Sequence, residues 1–321
     1  MEHFLPPAWI TIANKFDDDH GATRLSRRAA RGEVVRVRRG LYLPTSDWET
    51  LKPWQRYRTL IQAVNDSAQS SPVFARESAA NVLGLPVLRT PGDVHCLQKA
   101  ASSGGRSEYG VRRHKPLPGD PEPWHVDGLL ATPLVETARD LAAVGTFAQG
   151  LAALDRLLLA KPFPAVPYEY VRPIRDEEVL ESLARLGRSG QRQHVQRVLH
   201  HANYLSGSPG ESWSRAIMIQ HGFPEPVLQK RFSDSRGNIG QPDFDWEEYR
   251  LLGEFDGHEK YSRQKYLRGQ TPADVVIAEK NRENRLRALG YNVVRWEWAD
   301  LRSPERLIRL LHDAGLPHSV R

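Results

Sequence analysis

Residues 240–261 read GQPDFDWEEYRLLGEFDGHEKY, and the way this stretch folds decides the architecture around it. Two short apolar runs, DFDW and YRLLGEF, carry acids at alternating positions. Side chains of a strand point alternately to opposite faces, so Asp243 and Asp245 share one face of the first run, and Glu254 and Asp256 share one face of the second. A hairpin turning at Glu247-Glu248 brings Asp243 opposite Leu252-Gly253 and makes Asp243 and Glu254 diagonal neighbours. Carboxylates so placed repel unless a cation lies between them. A hard divalent ion, most naturally Mg²⁺, accepts oxygens from both and keeps its other positions for water and a phosphate.

Outward from this hairpin, residues 206–321 read as helix (ESWSRAIMIQHG), strand (PVLQKRF), turn (SDSRGNIG), the two acid-bearing strands, a loop, a long helix (PADVVIAEKNRENRLRAL) and a last strand (NVVRWEW). Three hairpin-linked strands and a fourth reached through a helix predict a mixed sheet with helices packed on it. Gly290 stands where a helix C-cap belongs. On the long helix Val275, Glu279, Arg282, Leu286 and Leu289 recur at helical spacing, which puts Glu279 and Arg282 on the sheet-facing stripe. Charges aimed at a core need partners. A Glu279–Arg282 pair serves, and so does a phosphate or a metal-bound water at the end of the sheet.

The other end of the chain is marked by arginine. Residues 23–40, TRLSRRAARGEVVRVRRG, hold Arg24, Arg27, Arg28, Arg31, Arg36, Arg38 and Arg39 against one acid, Glu33. Trp9 to Phe16 and Ala22 to Arg31 have helical spacing, and VVRVRRGLYLP alternates like two strands about Arg39-Gly40. Helix, helix and basic hairpin over residues 1–46 form the pattern of a winged helix-turn-helix. Arg24, Arg27, Arg28 and Arg31 then line a recognition helix, and Arg36, Arg38 and Arg39 lie on the wing against phosphates. A solvated basic helix followed by an ordinary hairpin is the alternative.

Residues 47–161 are mixed α/β: a short strand and helix in SPVFARESAANVLGLPV, strands in GDVHCLQK and EYGVRRHKPL, and two helices from TPLVETARDL onward with Thr132 as N-cap. His95 and Cys96 are strand neighbours facing opposite ways, which makes them structural and not a metal pair. Residues 162–205 form a proline-rich boundary and linker helices, in which His200 and His201 diverge too far around a helix to share an ion.

The whole is an α+β multidomain chain of 321 residues, with 40% hydrophobic and 26% charged residues, as in globular proteins and unlike disordered ones. One cysteine excludes an internal disulfide; the first twenty residues lack a signal-peptide pattern, and no segment is apolar enough to span a bilayer. A cytoplasmic location without membrane contact is therefore expected. The net charge of +6 favours a polyanionic partner.

Pro242-Asp243 followed by Glu254 on the next strand and then a helix resembles the PD-(D/E)XK nuclease core. SPGESWSR, PDFDW, GEFDGHEKY and EKNRENRLRALGYNVVRWEW together resemble a domain of uncharacterised function related to very-short-patch-repair endonucleases. RGEVVRVRRGLYLP, FARESAANVLGLP and ATPLVETARDLAA resemble the AbiEi-type antitoxins of type IV toxin-antitoxin systems. The resemblance implies a restriction-endonuclease-like mixed sheet with flanking helices over residues 206–321. Asp243 and Glu254 match the metal-binding acids, and Glu211 matches an acid on the first helix. Asp256 stands where the motif has lysine. Lys260, or less favourably Lys280, is the substitute.

Two functions follow. One is a Mg²⁺-dependent DNA endonuclease targeted by its winged helix, with Asp243 and Glu254 holding the metal, Glu211, Asp256 and Glu279 around them, and Lys260 supplying the ammonium. The other is a non-catalytic antitoxin-like repressor that autoregulates a type IV operon and meets a cognate toxin. A third account makes the acids structural partners of Arg215, Arg282 or Arg285.

Overall fold

The computed structural model describes residues 7–11, 21–98, 107–159, 161, 163, 166, 170, 174–257 and 272–319. Helices and several separate sheets of mixed α and β class form two units, Met1–Gly145 with Ala160–Arg197, and Thr146–Leu159 with Val198–Arg321.

In the first unit, α1 (Gly21–Ala30) buries Leu25 against a hairpin of β1 (Val34–Arg38) and β2 (Leu41–Pro44). Ile10, Leu25, Val34 and Tyr42 form the small core beneath it, with Ala29 packed alongside. The hairpin turns at Arg39-Gly40, as its alternation predicts. Trp9 to Phe16 departs from the helical expectation at Ile10. Its N–H and C=O bond Tyr42 at 2.9 and 3.1 Å, because the open edge of β2 offers the backbone partners that a helix would otherwise supply. Residues 12–16 of that expectation lie outside the described residues.

Helices α2 (Thr45–Thr50) and α3 (Pro53–Asp66) lead into a six-stranded mixed sheet. Its strands are β3 (Val73–Phe74), β4 (Val94–Leu97), β5 (Ser107–Glu108), β6 (Val111–His114), β7 (Trp124–Val126) and β8 (Leu129–Ala131), ordered β5-β6-β4-β3-β8-β7. Helix α4 (Arg76–Leu83) stops at left-handed Gly84, φ 83°. Helix α5 (Leu134–Val144) is capped at Pro133, one residue later than expected. The Thr132 hydroxyl is instead bonded to the Thr137 hydroxyl at 2.8 Å. Helix α6 (Phe147–Leu158) belongs to the second unit, while α7 (Asp176–Leu183) packs on α5 in the first. Helix α8 is Ser189–His200.

In the second unit, α6 packs on α9 (Pro209–Gln220), where buried Arg215 pairs with buried Asp155 at 2.8 Å. The main sheet has the order β14-β13-β12-β9, built from β9 (Val227–Leu228), β12 (Phe244–Trp246), β13 (Leu251–Asp256) and β14 (Asn292–Glu297). Strands β9, β12 and β13 are antiparallel, and β14 runs parallel to β13. This is the predicted mixed sheet. The run PVLQKRF is not one strand, however. Gln229 is left-handed, φ 53°, and turns the chain out of the sheet, so that β10 (Phe232–Asp234) and β11 (Gly237–Gly240) pair as a separate hairpin.

One face of the main sheet is aromatic. Phe244, Trp246, Phe255 and Trp296 lie under α9, whose Ser214 hydroxyl accepts the Trp296 indole N–H at 2.7 Å. Two glycines allow this approach: a Cβ on Gly210 would lie 2.0 Å from the Phe255 ring, and one on Gly253 would lie 2.6 Å from Trp296. On the opposite face, Leu286 of α10 (Pro272–Ala288) packs with Leu252, Phe232, Ile239 and Tyr291. Leu289 lies beyond the helix and is exposed, and the side chain of Val275 lies outside the described residues. Helices α11 (Trp298–Arg302) and α12 (Pro304–Asp313) close the unit. Among the described residues no helix is long and apolar enough to cross a membrane.

Candidate functional site

Three of the predicted acids come together at the end of the β12–β13 hairpin. Phe244 pairs with Gly253, and the same register sets Asp243 level with Glu254, one step further than a turn at Glu247-Glu248 implies. The turn is longer because a 3-10 segment over Glu247–Tyr249 and a left-handed Arg250, φ 48°, join the strands. Asp243 accepts the Phe255 backbone N–H at 2.9 Å on one oxygen and the Gln229 amide at 3.1 Å on the other. The same Gln229 amide reaches Glu211 at 3.2 Å. The left-handed backbone that ends β9 thus aims a carboxamide between two acids.

Glu211 also has a local duty. Ser208-Pro209-Gly210-Glu211 opens α9 with proline in its first turn, the Ser208 hydroxyl accepts the Glu211 N–H at 3.2 Å, and Glu211 accepts the Gly207 N–H at 2.8 Å. The Ser208 cap satisfies a helix-end donor that would otherwise be orphaned, and Glu211 ties down the residue before the cap.

Glu254 meets cations of the protein itself. Arg282 donates to its two oxygens at 2.6 and 2.8 Å, and Arg295 to one of them at 2.9 Å. Arg282 also bonds Glu279 at 2.6 and 3.0 Å, and Arg295 bonds Glu279 at 2.8 Å and Glu283 at 2.5 Å. Burial by itself depresses the Arg282 guanidinium, yet its bonds to Glu279 and Glu254 outweigh burial and hold it above its ordinary pKa. Arg295 is raised against burial by Glu254 and Glu283. The inward stripe of α10 therefore carries Glu279 and Arg282 as the sequence predicts, and it delivers them to Glu254.

The remaining predicted residues disperse. Asp245 is buried and pairs with Lys230 at 2.8 Å. Asp256 ends β13 and is in register with Glu297 of β14. Lys260 lies outside the described residues, and Lys280 is exposed. Arg215 pairs with Asp155, and Arg285 pairs with Asp234 at 2.6 Å, so of the three arginines weighed as structural partners only Arg282 reaches the acids of the main sheet. Gln229 and Arg295 were not legible as site residues: both act across long sequence separations, and neither carries a spacing signal.

Mg²⁺ demands an octahedron of oxygens at about 2.0–2.1 Å. Glu254 does not fit that role as placed, because guanidinium N–H groups hold its oxygens. Among the described residues no group of three or more His, Cys, Asp and Glu side chains is placed to hold a metal ion.

A second candidate surface lies on the first unit. Arg24, Arg27 and Arg28 fall within one stripe of α1, away from Leu25, and Arg31 follows the end of the helix. Glu33 engages Arg28 at 3.0 Å and Arg31 at 2.6 Å, and is held below the usual carboxylate range by these bonds. Arg38 is tied inward, donating to the Ser67 hydroxyl at 2.8 Å and the Tyr109 carbonyl at 3.1 Å. Arg27, Arg36 and Arg39 are exposed and make no ion pair among the described residues. The predicted cluster of seven thus resolves into tied and presented arginines.

His95 and Cys96 are structural, as their adjacency implies. His95 Nδ1 lies 2.8 Å from His114 Nε2 with the rings stacked, and burial pushes His114 down to about 3 and the Cys96 thiol up to about 12.

No family model matches this chain. Two uncharacterized proteins of Mycobacterium tuberculosis, MT2308 of strain CDC 1551 / Oshkosh and Rv2248 of strain ATCC 25618 / H37Rv, are each 30% identical to it over 169 residues. The match covers 53% of this chain and 55% of each relative, so the chain spans about half the length of the curated relatives it matches. Among solved structures, the crystal structure of the RV2827C protein from Mycobacterium tuberculosis aligns with 71% of this chain and 84% of its own at 18% identity, with a TM-score of 0.36.

Proposed function

We propose that this protein binds duplex DNA through a winged-helix-like N-terminal segment and acts as a non-catalytic, antitoxin-like repressor of its own operon, with a cognate toxin as partner. The observation that carries this reading is the presentation of Arg27, Arg36 and Arg39, exposed and without ion pairs among the described residues, on a helix and an adjoining hairpin. The arginine stripe of α1 enters the major groove, where a guanidinium reads guanine through two parallel hydrogen bonds. Arg36 and Arg39 on the hairpin neutralise phosphates and release counterions, which supplies affinity without sequence preference. The C-terminal unit contributes a nuclease-like scaffold in which Glu254 is held by Arg282 and Arg295.

The test is binding of the full chain to the DNA upstream of its own coding region against a scrambled duplex of equal length. Preference for the upstream DNA, lost in Arg27→Ala, is expected; equal affinity would defeat the reading.

One observation favours the second reading, a Mg²⁺-dependent DNA endonuclease. Gln229, in a left-handed conformation unfavourable for its type, bridges Glu211 and Asp243, and strain of this kind concentrates at working sites. Asp243→Ala is its test: metal-dependent nicking present in the parent protein and absent in a folded variant would establish it, and nicking unchanged by the substitution would exclude Asp243.

A further inference from the structure

Beside the β1–β2 hairpin the first unit contains a cleft of about 840 Å³. Arg36, Arg38 and Arg39, Leu60 and Val64 of α3, and Tyr109 are among the residues that line it. A volume of several hundred cubic ångströms is that of a site for a nucleotide-sized ligand.

Tyr109 is conspicuous for two reasons. Glu108 pairs with Val111, so Tyr109-Gly110 is a two-residue hairpin loop, and both residues have positive φ, 51° and 74°. Such loops favour Asn-Gly because a bulky side chain is strained there. The ring is also 87% exposed and buries almost nothing. A large aromatic at this position therefore contributes little to folding and sits in an unfavourable conformation. Its backbone is nevertheless fixed, since the Tyr109 carbonyl accepts from Arg38, which Ser67 anchors in turn. Arg38 thus ties the β1–β2 hairpin to the Tyr109 loop.

We propose that this cleft binds single-stranded nucleic acid, with an unpaired base stacked on Tyr109 and the flanking phosphates on Arg36 and Arg39. An exposed aromatic face beside an arginine-lined groove is the arrangement that recognises unstacked bases, because every base has a π face and every link a phosphate. A duplex presents no free base face to Tyr109, so this site is distinct from the duplex-binding surface and shares with it only Arg36 and Arg39. Arg38 positions Tyr109 and is not a phosphate ligand.

The test uses the full chain and fluorescence anisotropy with a labelled oligo-dT, an oligo-U of the same length and the upstream duplex. Tyr109→Ala is expected to weaken oligo-dT or oligo-U binding roughly tenfold or more, the size of one base–aromatic stack, and to leave duplex binding unchanged. Tyr109→Phe is expected to retain both. Whichever strand chemistry is bound more tightly identifies the ligand as DNA or RNA. Absence of oligonucleotide binding by the parent protein, or a Tyr109→Ala variant that binds it undiminished, would overturn the proposal. Loss of upstream preference with Tyr109-dependent oligonucleotide binding intact would defeat the duplex reading alone.

Discussion

Arg282 donates to both carboxylate oxygens of Glu254, at 2.6 and 2.8 Å, and so supplies from the protein the cation that neighbouring sheet acids require. Each of these bonds joins charged partners in a partly buried setting, where a hydrogen bond contributes about 1.5–3 kcal/mol. Arg282→Met should lower stability by about 1–3 kcal/mol, read as a fall in the urea midpoint, with Arg295 retaining part of the attraction. In a double-mutant cycle with Glu254→Gln the combined loss should be smaller than the sum of the single losses. Strict additivity would show that the two residues do not hold one another.

The stacked pair His95 and His114 predicts acid sensitivity in the first unit. Burial is the leading cause that lowers His114 to about 3, with the positive charge of Arg76 adding to it. The unfolded chain takes up this proton near about 6.5, so it binds more protons than the folded state between the two values. The stability contribution is therefore complete above the unfolded pKa and declines as pH falls toward 3. Urea midpoints measured from neutral pH downward should fall more steeply in the parent protein than in His114→Gln. Parallel curves, or His114 ring signals that titrate near neutrality by NMR, would contradict this.

Cys96 is buried, and burial drives its thiol up to about 12. The thiolate is the reactive species, so a neutral-pH disulfide reagent should react only as fast as the first unit opens. Because the chain has one cysteine, the readout is unambiguous. Stoichiometric reaction in the native protein within the time of mixing would place Cys96 at the surface.

Alternation made much of the C-terminal sheet legible. It put Asp243, Glu254 and Asp256 on one face, and helical spacing aimed Glu279 and Arg282 at that face. What periodicity does not contain is the partner chosen at long range. Gln229 enters the site because its left-handed backbone ends β9, and nothing in Leu228-Gln229-Lys230 marks a break in PVLQKRF. The same break produced the β10–β11 hairpin in place of the expected turn. Likewise the arginine run was visible as a cluster, but its division into presented Arg27, Arg36 and Arg39 and inward-tied Arg38 depends on Tyr109, 71 residues away. Ile10 left its helical pattern for the edge of β2 for a similar reason: its backbone bonds were made by a distant strand.

The proposed function combines binding of duplex DNA with the absence of hydrolysis, and one experiment addresses both. The full chain is titrated in Mg²⁺ against labelled upstream duplex and a scrambled duplex, and each sample is divided between a native and a denaturing gel. Upstream DNA should be retained at protein concentrations about a thousandfold below those needed for the scrambled sequence, as for specific DNA-binding proteins, and every strand should stay intact. Equal retention of both duplexes, or cleavage of either, would contradict the proposed function.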